Sequence, residues 1–460
     1  MIRIDKLPDD VLLEIFHFYV DMGLHHGKPD IEAWQSLVHV CRRWRALVFG
    51  SPRRLDLKLY CSSKTPAKDT LDIWPALPLI IDSNLTLLSN NIIAALEQSD
   101  RVCRVSLRLT SRKLEEVLAP MRVPFPELTH LWLWSDDEPP VIPDSFVGGS
   151  APRLRILYLN SIAFPGLPKL LLSATQLVRL DLDHIPHSGY ISPQAMVAPL
   201  SVLSTLEILF LQFRSPQSRP HWESQSLPTP RRSILPALIE FRFKGVVEYL
   251  EELVTRIDSP QLVHMHITFF NQIDFGCPRL SQFINCTPKL RVFDEAHVQF
   301  DDTTATVTLR SRSSKFTFDG LLIDVSCREP DWQLSFIEQL LNSSLYPLSV
   351  EDLYIKHRYS QLVWKDDAIE STLWLQLFLP FTAVKNLYLT KEFAPRIADT
   401  LKELVGGRIT EVLPSLQNIF VEALELSGFF QENIGQFAAA RQLYDHPIIV
   451  SDWNEDADRG

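Results

Sequence analysis

One pattern recurs along the chain: apolar-x-x-apolar-x-apolar. Its clearest copies are Leu128-Thr-His-Leu131-Trp-Leu133, Leu154-Arg-Ile-Leu157-Tyr-Leu159, Leu177-Val-Arg-Leu180-Asp-Leu182 and Leu206-Glu-Ile-Leu209-Phe-Leu211. The last positions alternate, which predicts a strand with leucines on one face and the intervening residues on the other. Weaker copies begin at Val102, Leu238, Leu262, Val350, Val384 and Leu416. Between them lie helix-like returns such as Leu167–Ala174 and Ser192–Pro199. One such unit cannot bury its own leucine face, whereas a stack buries a continuous core.

From Val102 to Leu262 the steps are 26, 26, 23, 29, 32 and 24 residues, the leucine-rich-repeat range with irregular insertions. The regular repeat's asparagine is mostly missing, so no continuous asparagine ladder is expected. The first 50 residues follow a different period. Leu7-Pro8-Asp9-Asp10 reads as a helix start, with proline in the first turn and acids complementing the helix dipole. Leu12, Ile15, Phe16 and Tyr19 continue at helical spacing, residues 21–30 read as a loop, and two further short helices carry Trp34, Leu37 and Val38, then Cys41, Trp44, Leu47 and Val48. The predicted fold class is an α/β repeat: a three-helix module over 1–55, then an irregular leucine-rich-repeat-like solenoid with a curved parallel sheet over 56–450. An acidic tail over 451–460 is expected to be disordered. Three stretches interrupt the repeats. Residues 61–70 are polar, and 214–233 hold four prolines, five serines and four arginines. Between Leu290 and Val350, Thr306–Leu309 and Phe316–Phe318 look like a hairpin.

Composition narrows the function. The chain has 460 residues and a net charge of −11, which argues against general binding to nucleic acid or to an anionic membrane. Fifteen glycines against 32 prolines disfavour Gly-rich phosphate cradles. Six cysteines with no CxxC pair make no disulfide framework. No run of 18 apolar residues or leader-like start occurs, so the expectation is an intracellular protein of cytoplasm, nucleus or both.

Leu7-Pro8-Asp-Asp-Val-Leu12-Leu-Glu-Ile15-Phe16 and Val40-Cys41-Arg42-Arg43-Trp44-Arg-Ala-Leu47-Val together resemble an F-box. The match covers about a tenth of the chain; a late tryptophan of the family is not evident, with Leu55 or Leu57 in its place. Segments such as Ile185–Pro193, Phe241–Leu250, Phe381–Leu389 and Val405–Arg408 with Val412–Leu416 extend the likeness. They resemble the large F-box families of mushroom-forming fungi, which carry degenerate leucine-rich repeats. The resemblance implies a non-catalytic substrate receptor of a cullin–RING (SCF-type) ubiquitin ligase, docked on a Skp-type adaptor, needing no cofactor. By motif position it implies adaptor contacts at Leu7, Pro8, Leu12, Ile15, Phe16, Val40, Cys41 and Trp44. The bland alternative is that some of these, Ile15 and Trp44 among them, form the helical core. Cys41 is expected as a buried structural thiol.

The residue between the last two leucines of each repeat projects from the sheet. That column reads Trp132, Tyr158, Asp181, Phe210, Arg242, His266, Tyr354, Tyr388 and Phe420, flanked by His130, Trp134, Arg179, Asp183, Glu240, His264 and Asp352. Aromatics and arginines are favoured binding anchors. The expected substrate-binding residues are therefore Trp132, Trp134, Tyr158, Phe210, Arg242, His266, Tyr354, Tyr388 and Phe420, with an unknown protein target; the alternative is that an insertion or the tail covers them. His264-x-His266 has zinc-like spacing without a third ligand, so no metal is expected. Asp136–Glu138 and Asp301–Asp302 read as solvated turns. Ser215-Pro216 and Thr229-Pro230 are minimal phosphorylation patterns. Two rivals remain: an F-box scaffold without a ubiquitylation role, and a metal-dependent enzyme that would use the histidine or aspartate clusters.

Overall fold

In the strands the alternation is literal. Along Glu240–Gly245, Phe241 and Phe243 are buried while Glu240, Arg242 and Lys244 are half-exposed, and Leu131 and Leu133 are buried between His130, Trp132 and Trp134. A computed structural model describes residues 6–24, 33–62, 71, 76–83, 90–216, 232–271, 275–290, 293–312, 320–344, 349–357, 371–405, 408–422 and 428–453. It is an α/β chain with mostly parallel strand pairing and, among the described residues, thirteen helices. Internal contacts divide it into 1–177 and 178–460.

The first unit begins with α1 (Asp9–Leu24), α2 (Ala33–Val40) and α3 (Arg42–Gly50). It continues with β1 (Leu59–Cys61), β2 (Leu79–Ser83), α4 (Asn90–Leu96), β3 (Val102–Leu109), α5 (Ser111–Leu118), β4 (His130–Ser135), β5 (Ile156–Asn160) and α6 (Leu167–Leu171). Strands β1 to β5 are parallel neighbours in chain order. The Trp34 indole donates to the Lys58 carbonyl at 3.1 Å, tying α2 to the residue before β1. Helix α1 runs to Leu24, where a loop over 21–30 was expected; residues 25–30 lie outside the described residues.

The second unit comprises β6 (Arg179–Ile185), α7 (Pro193–Leu200), β7 (Ile208–Phe213), β8 (Ser233–Ile234), β9 (Glu240–Gly245), α8 (Val247–Val254), β10 (Ile257–Asp258), β11 (His264–Phe270), α9 (Pro278–Cys286), β12 (Glu295–Phe300), β13 (Thr304–Arg310), β14 (Gly320–Ser326) and α10 (Pro330–Ser344). It closes with β15 (Asp352–His357), α11 (Ser371–Phe378), β16 (Asn386–Leu389), α12 (Ala394–Lys402), β17 (Asn418–Glu422), α13 (Gly428–Leu443) and β18 (Ile449–Trp453). Its main sheet runs β6-β7-β9-β11-β14-β13-β12-β15-β16-β17-β18, and β8 pairs with β10 separately. Helices α7 to α13 pack each on the next, over the leucine face.

Consecutive strands are stitched by backbone alone just before each strand. Carbonyls of Glu207, Ile239, Glu351 and Lys385 each accept two successive N–H groups from the next strand's entry. These bonds satisfy buried backbone groups where the asparagine ladder is absent.

The stretch from Leu290 to Val350 departs from the repeat. β12 lies three places beyond β11, and β13 and β14 fill the two places between them antiparallel. Gly320 makes this possible: its φ of +118° suits glycine, and a Cβ there would run into the Leu309 carbonyl. Phe316–Phe318 lies outside the described residues, as do 63–70, 217–231 and 454–460. The expected tail beginning at residue 451 is corrected: residues 449–453 form β18, paired with β17, and Trp453 is buried. The strand gains a sheet neighbour, and Trp453 gains a ring cluster with Tyr354 and Tyr388, which offset the cost of ordering the chain.

Candidate functional site

Two surfaces carry the candidate residues. On the helical trio, Leu12 and Phe16 are buried, so these two expected contact residues are instead core. The geometry explains it: Phe16 packs on Trp44 with ring centroids 4.6 Å apart, which leaves Trp44 half-buried. Ile15, Val40 and Pro8 are exposed, and Leu7 is half-buried. Cys41 is exposed, contrary to a buried thiol: it caps α3, its Sγ accepting the Trp44 N–H at 3.5 Å. The late apolar positions Leu55 and Leu57 are both buried.

Sequence reasoning missed part of this surface. Val11, Ile15, Phe18 and Tyr19 follow one another at helical i, i+4, i+7, i+8 spacing and are all exposed, Phe18 to 70%. Beneath them Arg43 bonds Asp9 at 2.6 Å and Arg54 bonds Glu14 at 2.5 Å, fixing α1 against the chain that follows α2. The signal was present as apolar residues in excess of one core face.

The second surface is the sheet face opposite the leucines. All nine expected binding residues project there, and each is half-buried. One member of the column and one of its flank are not available: Asp181 and Asp352 are buried. Asp181 accepts from Arg179 at 2.8 Å, and burial raises its carboxyl's pKa against that pairing.

In the first unit Arg104 lies over the Trp132 ring at 4.3 Å and Arg108 over Trp134 at 4.7 Å. Tyr158 packs 6.1 Å from Trp134 and accepts from Asn160 at 3.0 Å. Burial, then Arg104, Arg155 and Lys58, lower the His130 pKa.

In the second unit the register aligns one row: Asp181, Phe210, Arg242, His266, Leu322, Thr308, His297, Tyr354, Tyr388, Phe420 and Ser451. Phe210 is flanked by Arg179 at 5.2 Å and Arg242 at 4.5 Å. His266 bonds Asp324 at 3.0 Å. Beyond it four rings stack: His297–Tyr354 at 4.3 Å, Tyr354–Tyr388 at 4.2 Å and Tyr388–Phe420 at 4.7 Å, all within 12° of parallel. The spacing follows from the distance between strands. Trp453 lies against Tyr388 at 5.5 Å, so the chain's end does cover part of this row. Along one edge runs a polar ladder, with Asn386 donating to Asp352 at 2.6 Å and Asn418 to Asn386 at 2.8 Å. His297 was not anticipated, because nothing in its local sequence matches the repeat.

Truncating a ring held on both sides removes two stacks at once. Tyr388→Ala is expected to destabilise the second unit by about 2 kcal/mol, and Phe420→Ala, stacked on one side, by less. Urea unfolding of the two variants checks the order.

Among the described residues no group of three or more His, Cys, Asp and Glu side chains converges to hold a metal ion, His264 and His266 included. No helix among them is long and apolar enough to cross a membrane. No family model matches the chain, and a search of the curated proteins finds no match.

Proposed function

We propose that the chain is the substrate-recognition subunit of a cullin–RING ubiquitin ligase: an F-box at the N-terminus docks on a Skp-type adaptor, and the leucine-rich-repeat-like sheet face binds a protein target. The receptor catalyses nothing; it raises the effective concentration of target lysines near the conjugating enzyme. This places its work in the cytoplasm, the nucleus or both. The observation that carries the reading is the exposed apolar stripe Val11, Ile15, Phe18 and Tyr19, in the segment whose motif resembles an F-box. Apolar side chains left in water on one face of a helix mark an interface. The half-buried aromatics of the sheet face support the second part.

The test is capture by purified Skp-type adaptor. Ile15→Asp with Val40→Asp puts charge on exposed positions and leaves the core of Leu12 and Phe16 intact. Capture is expected to fall at least tenfold, while Leu7→Ala with Pro8→Ala weakens it at the motif's start. If the wild type is not captured, the reading fails. Capture of adaptor without cullin would make the chain a scaffold with no ubiquitylation role.

A further inference from the structure

The arginines of the sheet face are almost all paired: Arg179 with Asp181, Arg242 with Glu240, Arg310 with Glu295 and Arg312 with Asp352. Arg104 on β3 is different. It is half-buried, lies flat over Trp132 at 4.3 Å, and makes no hydrogen bond or ion pair among the described residues; its Nε is out of solvent and has no acceptor. A guanidinium held in place by an indole, with its donor fork unused, is prepared for a carboxylate.

The surroundings fit that use. Arg108 lies four residues along the same strand, about 13 Å away, over Trp134, and is exposed. His130 stands beside Arg104 on the neighbouring strand. Asp82 is a competing carboxylate that feels the charge of Arg104. It bonds the Ser106 hydroxyl and is raised in pKa by burial, against the pull of Arg104. Asp136 already takes Arg108 at 2.8 Å, and Asp56 takes Lys58 at 2.6 Å.

We infer that the patch of Arg104, Arg108, Trp132, Trp134 and Tyr158 binds an extended acidic segment of the target protein, with one carboxylate on Arg104 and a second near Arg108. Carboxylates four residues apart in an extended chain match the spacing of the two arginines. A phosphate dianion is the competing anion, and a competition experiment separates the two. The indoles and Tyr158 supply the apolar contact that holds such a segment. This deepens the reading of the sheet face as the target-binding surface and rests on it.

The probe is a fluorescein-labelled ten-residue poly-Glu peptide, with poly-Gln as its neutral counterpart, followed by anisotropy on the full chain at low salt. Poly-Glu is expected to bind and poly-Gln not. Arg104→Gln is expected to weaken binding at least tenfold, Arg104→Lys to weaken it less, and Trp132→Leu to weaken it with the charge retained. Arg408→Gln, at an exposed pair in the other unit and outside the sheet face, leaves it unchanged. Equal binding of both peptides, an unaltered affinity in Arg104→Gln, or stronger competition by inorganic phosphate than by unlabelled peptide would overturn the inference. Thermal melts of each variant show that it is folded. Adaptor capture by the wild-type chain separates the two proposals: peptide binding without adaptor capture refutes the F-box reading alone, and capture without peptide binding refutes this inference alone, while Arg104→Gln should lose the peptide and keep the adaptor.

Discussion

Arg441→Ala is expected to lower the unfolding free energy of the second unit by about 3 kcal/mol or more. Arg441, on α13, is completely buried. Its Nη1 donates to the carbonyls of Ile409 at 3.0 Å and Leu413 at 3.4 Å, and its Nη2 to those of Pro414 at 3.2 Å and Leu416 at 3.1 Å. No carboxylate is among these partners. One guanidinium therefore donates to four carbonyls of the turn that leads into β17, where Leu413 holds a φ of +48°. Two opposing effects decide the result. Removing the cation relieves a desolvation cost, which is why burial also lowers its pKa. It also takes the donor from the carbonyls of Ile409, Pro414 and Leu416, while Leu413 keeps the Leu416 N–H at 3.1 Å, and it opens a cavity beside them. The second effect is the larger, because each charge-assisted bond contributes roughly 1.5–3 kcal/mol. Arg441→Lys should lose less, since an ammonium can serve some of the carbonyls but not span all four. The exposed Arg408–Glu411 pair is the contrast, and Arg408→Ala should leave stability unchanged. Urea unfolding followed by circular dichroism measures all three. An Arg441→Met protein as stable as the wild type would show that desolvation balances the four bonds.

Arg441 also shows where legibility in the sequence ends. Between Ala440 and Gln442 it looks like a surface arginine, and its partners lie 25 to 32 residues away on a turn. The repeats themselves were legible. Strands β4 and β7 begin two residues after Leu128 and Leu206, because alternation there coincides with three large apolar residues. Strand β2 escaped notice for the same physical reason reversed: Ser83 sits in register with Leu107, at the place of the last leucine. The inserted β12–β14 meander depends on the positive φ of Gly320 and on long-range pairing, which no local period announces. The row of the candidate site was legible as outward positions, since a strand's faces alternate. Its stacking was not. Tyr354 meets Tyr388 through a register set 34 residues apart, and His297 joins them only because β12 lies beside β15. Arg104 and Arg108 were overlooked because the outward positions of the weaker repeat that begins at Val102 were not read; they stand on either side of its middle residue, Ser106.

His297 supplies the other large effect, in the dependence of stability on pH. Its ring is stacked on Tyr354 and buried. Burial, with Arg310 and Lys356 nearby, pushes its pKa down to about 4, although Glu295 opposes this by accepting its Nε2–H at 3.3 Å. In the unfolded chain the same imidazole titrates near 6.5. Between these values the unfolded state holds the proton and the folded state does not, so stability rises with pH across the window. Acidification from pH 7 to 4 should then remove on the order of 3 kcal/mol through this residue alone. Below that a second loss begins. The His297 hydrogen bond, with Arg310 at 2.6 Å, holds the Glu295 pKa down at about 2 against its burial, and the unfolded carboxyl titrates near 4.5. The stability that Glu295 contributes is therefore complete above 4.5 and disappears as pH falls through about 2. His297→Phe keeps a flat ring on Tyr354 and deletes the titration. The variant starts less stable at pH 7, having lost the bond to Glu295, but its stability should fall more shallowly than the wild type's from pH 6.5 to 4. Urea midpoints at several pH values give both curves, and hydrogen exchange across β12, β15 and β16 assigns the change to this sheet. Parallel curves would mean that His297 carries its proton in the folded protein, with Glu295 and His297 then forming a charged pair beneath the ring stack.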